Sequence, residues 1–169
     1  MALGAVGARV IASMARLPKD PLPALLRAAT KVRKNAHAPY SNFPVGAAVL
    51  AGGKIFVGCN VENSSFPLGV CAERSAISAA VSAGFHRVDA VAIVAGTVRA
   101  VPPCGGCRQV LTEFCARSTP VAYAAPGGSV VRTTVGELLP SAFGMDDLKA
   151  GTEADPVRPQ LLVARGGRR

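Results

Sequence analysis

No apolar run in this chain approaches the 18 or so residues that a membrane-spanning helix needs, so a helical membrane span is excluded. Aromatic residues are only 5% of the chain and tryptophan is absent. Nowhere do the aromatics interleave with lysine and arginine into the stacking stripe that holds single-stranded nucleic acid. Acid is scarce as well: 10 Asp+Glu stand against 19 Lys+Arg, for a formal net charge of +9. Residues 21 to 150 hold 12 Lys+Arg against 7 Asp+Glu, so nearly half of the excess sits on the two ends. A basic balance spread in this way favours solubility over a polynucleotide groove. The five cysteines, Cys59, Cys71, Cys104, Cys107 and Cys115, are an odd number in a chain with no convincing secretory signal. That argues against a disulfide framework and for reduced thiols or a metal site. A second Cys-x-x-Cys pair is also lacking, which argues against a closed structural zinc site with four thiolates.

What remains is globular: 169 residues, 50% hydrophobic and 17% charged, enough for one domain with a sizeable core. That domain is expected over residues 21 to 150. Residues 1 to 20 read as an N-terminal extension. Its Arg9, Arg16 and Lys19, with Val6, Val10, Met14 and Leu17 at helical spacing, leave mitochondrial targeting as the secondary reading to a cytoplasmic one. From Gly151 onward Gly, Pro and Arg dominate, and residues 151 to 169 are expected to be a disordered tail.

Between these ends, PLPALLRAATKVRKNAH places Leu22, Leu25, Leu26, Ala29 and Val32 on one helical face and stops before Pro39. GAAVLAGGKIFVGCNVEN reads as a hairpin turning at Gly52-Gly53. CAERSAISAAVSAG is a small-residue helix closed by Gly84, and VDAVAIVAG is a buried strand. CGGCRQVLTEFCA is a further helix, PVAYAAP a strand, and SVVRTTVGELLP an extended segment leading to a short helix. This alternation predicts an α/β fold, a three-layer α/β/α sandwich with helices on both sides of a mixed sheet.

The chemistry lies at two helix starts. Cys104 and Cys107 form a Cys-x-x-Cys pair whose sulfurs share one end of a helix, where backbone N–H groups and the dipole favour thiolates. Alone the pair fits a metal site or a thioredoxin-like redox motif equally well. Cys71 adds a third thiolate, leaving the fourth tetrahedral position of a zinc ion open, as catalytic zinc sites require. Glu73, two residues on, is placed to move protons beside that position without being a ligand. Three thiolates around Zn²⁺ leave a net negative site, and Arg74 and Arg108, each next to a site residue, are the candidates to hydrogen-bond the sulfurs and temper it. Cys-x-Glu followed by Pro-Cys-x-x-Cys is the pattern of zinc-dependent nucleobase deaminases in their three-cysteine form.

Taken with APYSNFPVGAAV, GCNVENSSFPLGVCAERSAI, PCGGCRQVLTEF and ELLPSAFGMDDL, this pattern resembles the small, homotetrameric cytidine deaminases over about residues 21 to 150. The resemblance implies a zinc-dependent hydrolase of pyrimidine salvage that removes the 4-amino group of cytidine and deoxycytidine and releases ammonia. It implies that Asn60 and Glu62 hold the ribose, that Phe43 packs against the pyrimidine, and that Ala72 and Phe66 also meet substrate. Phe143 would reach the site of a neighbouring subunit, and the small-residue helix would be a contact between subunits. The chain departs from the family pattern in TVRAVPP, which lacks the Ser-Asp often found there, and in its extensions at both ends. The alternatives are a zinc deaminase of another aminopyrimidine such as blasticidin S, or a polynucleotide-editing or nucleic-acid-binding protein on the same scaffold. The Asn-x-Glu argues for a ribose against the first, and the missing basic and aromatic stripe argues against the second.

Overall fold

The computed structural model describes residues 19–154. Its elements in chain order are α1 (Leu22–Arg33), β1 (Val45–Ala51), β2 (Lys54–Cys59), α2 (Ala72–Ser82), β3 (Ala90–Ala95), α3 (Gly105–Phe114), β4 (Pro120–Ala124), β5 (Val130–Thr134), α4 (Val135–Leu138) and α5 (Met145–Ala154). The expected tail therefore begins later than residue 151, because α5 carries helix through Ala154. The targeting segment and the rest of the tail lie outside the described residues.

The five strands form one sheet in the order β2-β1-β3-β4-β5, with β3 and β4 parallel and the other pairs antiparallel. The β1–β2 hairpin turns through Gly52 and Gly53, whose φ values of 54° and 73° suit the two-residue turn that matches strand twist. A parallel neighbour cannot be reached by a hairpin, and α3 supplies the crossover from β3 to β4.

The core lies in two layers, one on each side of the sheet. Ala48, Leu50, Ala92 and Val94 pack with Leu22, Leu25 and Ala29 of α1. Their strand neighbours Ala47, Val49, Val91 and Ile93 pack on the opposite side with Ala76, Ile77 and Ala80 of α2 and Leu111 of α3. Burial on both faces is why GAAVLA and AVAIVA read as continuous apolar runs rather than alternating ones. The expected α/β/α sandwich on a mixed sheet is the fold observed. The alanine ridge of α2 faces its own sheet, leaving Arg74, Ser78 and Ser82 exposed on the other side of that helix.

Chain direction decides where the site forms. β2 and β3 are both antiparallel to β1, which lies between them, so their C-terminal ends and the N-terminal end of β1 share one edge. The loops leaving that edge, 60–71 and 96–104, lead into α2 and α3. Both helices consequently begin there, over the end of the sheet.

Gly58 lets α2 settle against β2, since a Cβ at that position would lie 2.6 Å from the Ala72 carbonyl oxygen and from the Ser75 side chain. Gly58→Ala is expected to lower unfolding free energy by about 1–3 kcal/mol, the usual penalty of forcing atoms into a packed contact. Urea denaturation checks this, and an unchanged midpoint would show that α2 moves aside freely.

Candidate active site

Cys71 is the N-cap residue of α2 and Cys104 that of α3, each in extended backbone (ψ 152° and 163°), and Cys107 follows in the first turn of α3. Their sulfurs lie within 4.8 Å of one another. Three sulfurs on a tetrahedral zinc at Zn–S of roughly 2.3 Å are about 3.8 Å apart, so the group needs little adjustment to hold the ion. Cys107 is buried, Cys71 half-buried and Cys104 exposed, which leaves one side of the trio open to the cavity.

The electrostatics of this trio call for a cation. Cys71 is lowered to about 6, chiefly by a hydrogen bond from Cys107 and further by Cys104 and the Arg74 charge. Cys107 is pushed far up by the same contact with Cys71, by burial, and by the charge of Glu73. Sulfurs this close cannot all ionise beside a carboxylate by themselves, and a divalent ion removes the conflict.

Glu73 sits in the first turn of α2, where the helix dipole favours a carboxylate. It is 5% exposed, and burial pushes its carboxyl above the ordinary range. Ala72, wholly buried, and Glu73 close the deep end of a cavity of about 510 Å³ together with Cys71 and Cys104. Phe43, Val45, Ile93, Ala95 and Val101 wall it, and Asn60 and Glu62 stand on its rim.

The rim is already hydrogen-bonded. Asn60 accepts from the Val45 N–H at 2.7 Å and donates to the Phe43 carbonyl at 3.0 Å, fixing the segment that carries Phe43. Glu62 accepts from the N–H groups of Tyr40 and Ser41 and from the Ser41 hydroxyl.

Two expectations about arginine fare differently. Arg74 donates to the Gly69 carbonyl at 2.8 Å, and its charge also favours the Cys71 thiolate, as anticipated. Arg108 reaches the Pro103 and Leu138 carbonyls at 2.8 and 3.2 Å, so its guanidinium braces backbone rather than bonding a sulfur. The reason is helical: one residue past Cys107 the side chain is turned about 100° from the sulfur.

Neither Phe66 nor Phe143 reaches the cavity of its own chain. Phe66 is 73% exposed and meets Tyr40 edge-on at 5.7 Å. Phe143 is 58% exposed, and its carbonyl accepts from Gln109 Nε2 at 2.7 Å. The sequence reading passed over Ser41, Val45, Ile93, Ala95, Val101 and Pro102. The rule that α/β sheets bind ligands outside the carboxyl ends of their strands points to Ile93 and Ala95. Val101 and Pro102 belong to TVRAVPP, the loop singled out as a departure, which is a cavity wall here.

Residues 21–123 match the family model described as the cytidine and deoxycytidylate deaminase zinc-binding region. The chain belongs to that deaminase family. Zinc is the cofactor of this region, and Cys71, Cys104 and Cys107 are the group able to hold it. The chain is 48% identical over 130 residues to a cytidine deaminase of Sporosarcina psychrophila, covering 76% of this chain and 96% of that protein. It is 43% identical over 128 residues to one from Mycobacterium tuberculosis, covering 71% and 87%. Among solved structures it resembles the cytidine deaminase of Burkholderia pseudomallei, with TM-score 0.69, 46% identity, and coverage of 72% of this chain and 98% of that one.

Each of Cys71→Ala, Cys104→Ala and Cys107→Ala is expected to purify with well under one zinc per chain and a lowered Tm, because metal binding and folding of the two helix starts are coupled. Elemental analysis with thermal melts checks this, and a zinc-replete single variant would remove that residue from the ligand set.

Proposed function

We propose that this enzyme hydrolyses cytidine and deoxycytidine to uridine and deoxyuridine with release of ammonia. The observation that carries the reading is the meeting, in one cavity, of the three-cysteine group, a buried carboxylate and an aromatic wall rimmed by Asn60 and Glu62. Bound at the three sulfurs, zinc supplies the Lewis acidity that makes a water molecule nucleophilic near neutral pH. The remaining work falls to the chain's own side chains. Glu73 takes a proton from the attacking water and delivers it to N3 of the pyrimidine, then protonates the departing amine. Its burial suits the task, since a carboxyl raised toward neutrality both accepts and returns protons readily. Phe43 offers a flat apolar face to the base, and Ala72 at the deep end leaves room for the ring.

The rim supports a nucleoside rather than a nucleotide. Arg108 is the cavity's one lining cation among the described residues, and it is engaged by two carbonyls, while Glu62 would repel a phosphate. Asn60 and Glu62 favour a sugar over a free base or an antibiotic aminopyrimidine. Glu73→Gln is expected to keep zinc and fold but to lower turnover of cytidine on the order of 10²-fold or more. Ultraviolet monitoring of cytidine, deoxycytidine, cytosine and blasticidin S, with zinc content measured in parallel, tests the reading; no turnover of either nucleoside would overturn it.

The working form we infer is a homotetramer with shared sites, in cytoplasmic pyrimidine salvage. Among the described residues no helix is long and apolar enough to cross a membrane. The support for assembly is apolar surface: Val61, Phe66, Leu68 and Val70 are exposed on the loop beside the site, and Phe143, Met145 and Leu148 are exposed near the other end of α3. Phe143→Ala is expected to raise KM for cytidine severalfold with zinc unchanged, and the wild-type solution mass to equal about four chains. A fully active monomer would remove the shared site.

A further inference from the structure

Glu62 makes no ion pair with a lysine or arginine among the described residues. It is held instead by N–H and O–H dipoles from one loop. Oε2 accepts from the Tyr40 N–H at 3.0 Å and the Ser41 N–H at 3.2 Å, and Oε1 accepts from the Ser41 hydroxyl. A carboxylate has about four acceptor positions, two on each oxygen. Oε2 is therefore filled, and Oε1 keeps one.

We propose that Ser41 is a positioning residue for substrate selection: with the Tyr40 N–H, its backbone N–H and hydroxyl occupy three acceptor positions of Glu62 and leave one, on Oε1, for a single ribose hydroxyl. The assignment rests on the nucleoside deaminase reading of the cavity. Ser41 lines the cavity between Glu62 and Phe43, and the same hydroxyl that donates to Glu62 accepts from the Phe43 N–H at 3.1 Å. One side chain thus sets the carboxylate that meets the sugar and the backbone of the ring that meets the base. The Asn60 bonds to Phe43 and Val45 close the other side of this segment, so the hydroxyl works in a frame that is already fixed. The Ser41 hydrogen bond is also the largest influence holding the Glu62 carboxyl below its ordinary range, which keeps it an acceptor. A carboxylate with two free oxygens would be able to grip both hydroxyls of a cis-diol. With one position left, Glu62 reads one.

The test compares wild type, Ser41→Ala and Ser41→Thr on cytidine and on 2′,3′-dideoxycytidine, which lacks both ring hydroxyls. For Ser41→Ala, KM for cytidine is expected to rise about tenfold, the usual effect of losing a hydrogen bond to a charged group, with kcat within about threefold of wild type. On dideoxycytidine the same substitution is expected to change kcat/KM less than about twofold, and Ser41→Thr to restore wild-type KM for cytidine. Equal penalties on the two substrates, or a Ser41→Thr enzyme as impaired as Ser41→Ala, would overturn the Ser41 assignment alone. A zinc-replete wild type that does not turn over cytidine would overturn the deaminase reading and this assignment with it.

Discussion

The site depends on two helices starting at the same place. α2 and α3 come from different parts of the chain, yet their first turns must bring three sulfurs within reach of one ion, and a shift of either helix by one residue would carry its cysteine about 100° around the axis. That alignment follows from strand direction. With β1 lying antiparallel between β2 and β3, the two loops that feed the helices leave the same edge of the sheet. The close seat of α2 over Gly58 and the crossover of α3 between β3 and β4 then hold the two starts against a shared core.

Charge in the site is arranged against the balance of the whole chain. The molecule carries +9, but its cavity gathers the three thiols, Glu73 and Glu62. The two helix N-termini offset part of that negative density, Arg74 another part beside Cys71, and a dication the rest. Two carboxylates in one cavity are held in opposite states by their surroundings. Burial raises Glu73, while hydrogen bonds from the Tyr40–Ser41 turn lower Glu62. The first condition suits a group that exchanges protons, and the second a group that only accepts hydrogen bonds.

Much of the frame was legible in the sequence. Leu22, Leu25 and Ala29 at helical spacing, Gly52-Gly53 between two apolar runs, and the continuous AVAIVA segment each reported a local rule, and each element formed where its pattern stood. The cysteines and Glu73 were legible for another reason: ligand chemistry requires those residue types at fixed offsets from a helix start. Arg108 shows the limit of that inference. Adjacency in sequence placed it near the sulfurs, and the turn of the helix sent its guanidinium to two carbonyls instead. The end of α5 was misjudged because Gly151 reads as a breaker, whereas the helix runs through it.

By itself, the sequence determined which side chains were available and the local elements that carry them, because helix starts, tight turns and apolar periodicity are set by neighbours within a few residues. Only the tertiary structure decided which of them share a cavity. Ile93 and Ala95 look like any core positions along the chain, and they become walls because β3 ends at the edge where α2 and α3 begin. Ser41 and Glu62 are 21 residues apart, and their pairing exists because the loop before β1 and the loop after β2 are brought side by side by an antiparallel register. Contacts of that kind are fixed by packing across the sheet, where separation along the chain carries no information.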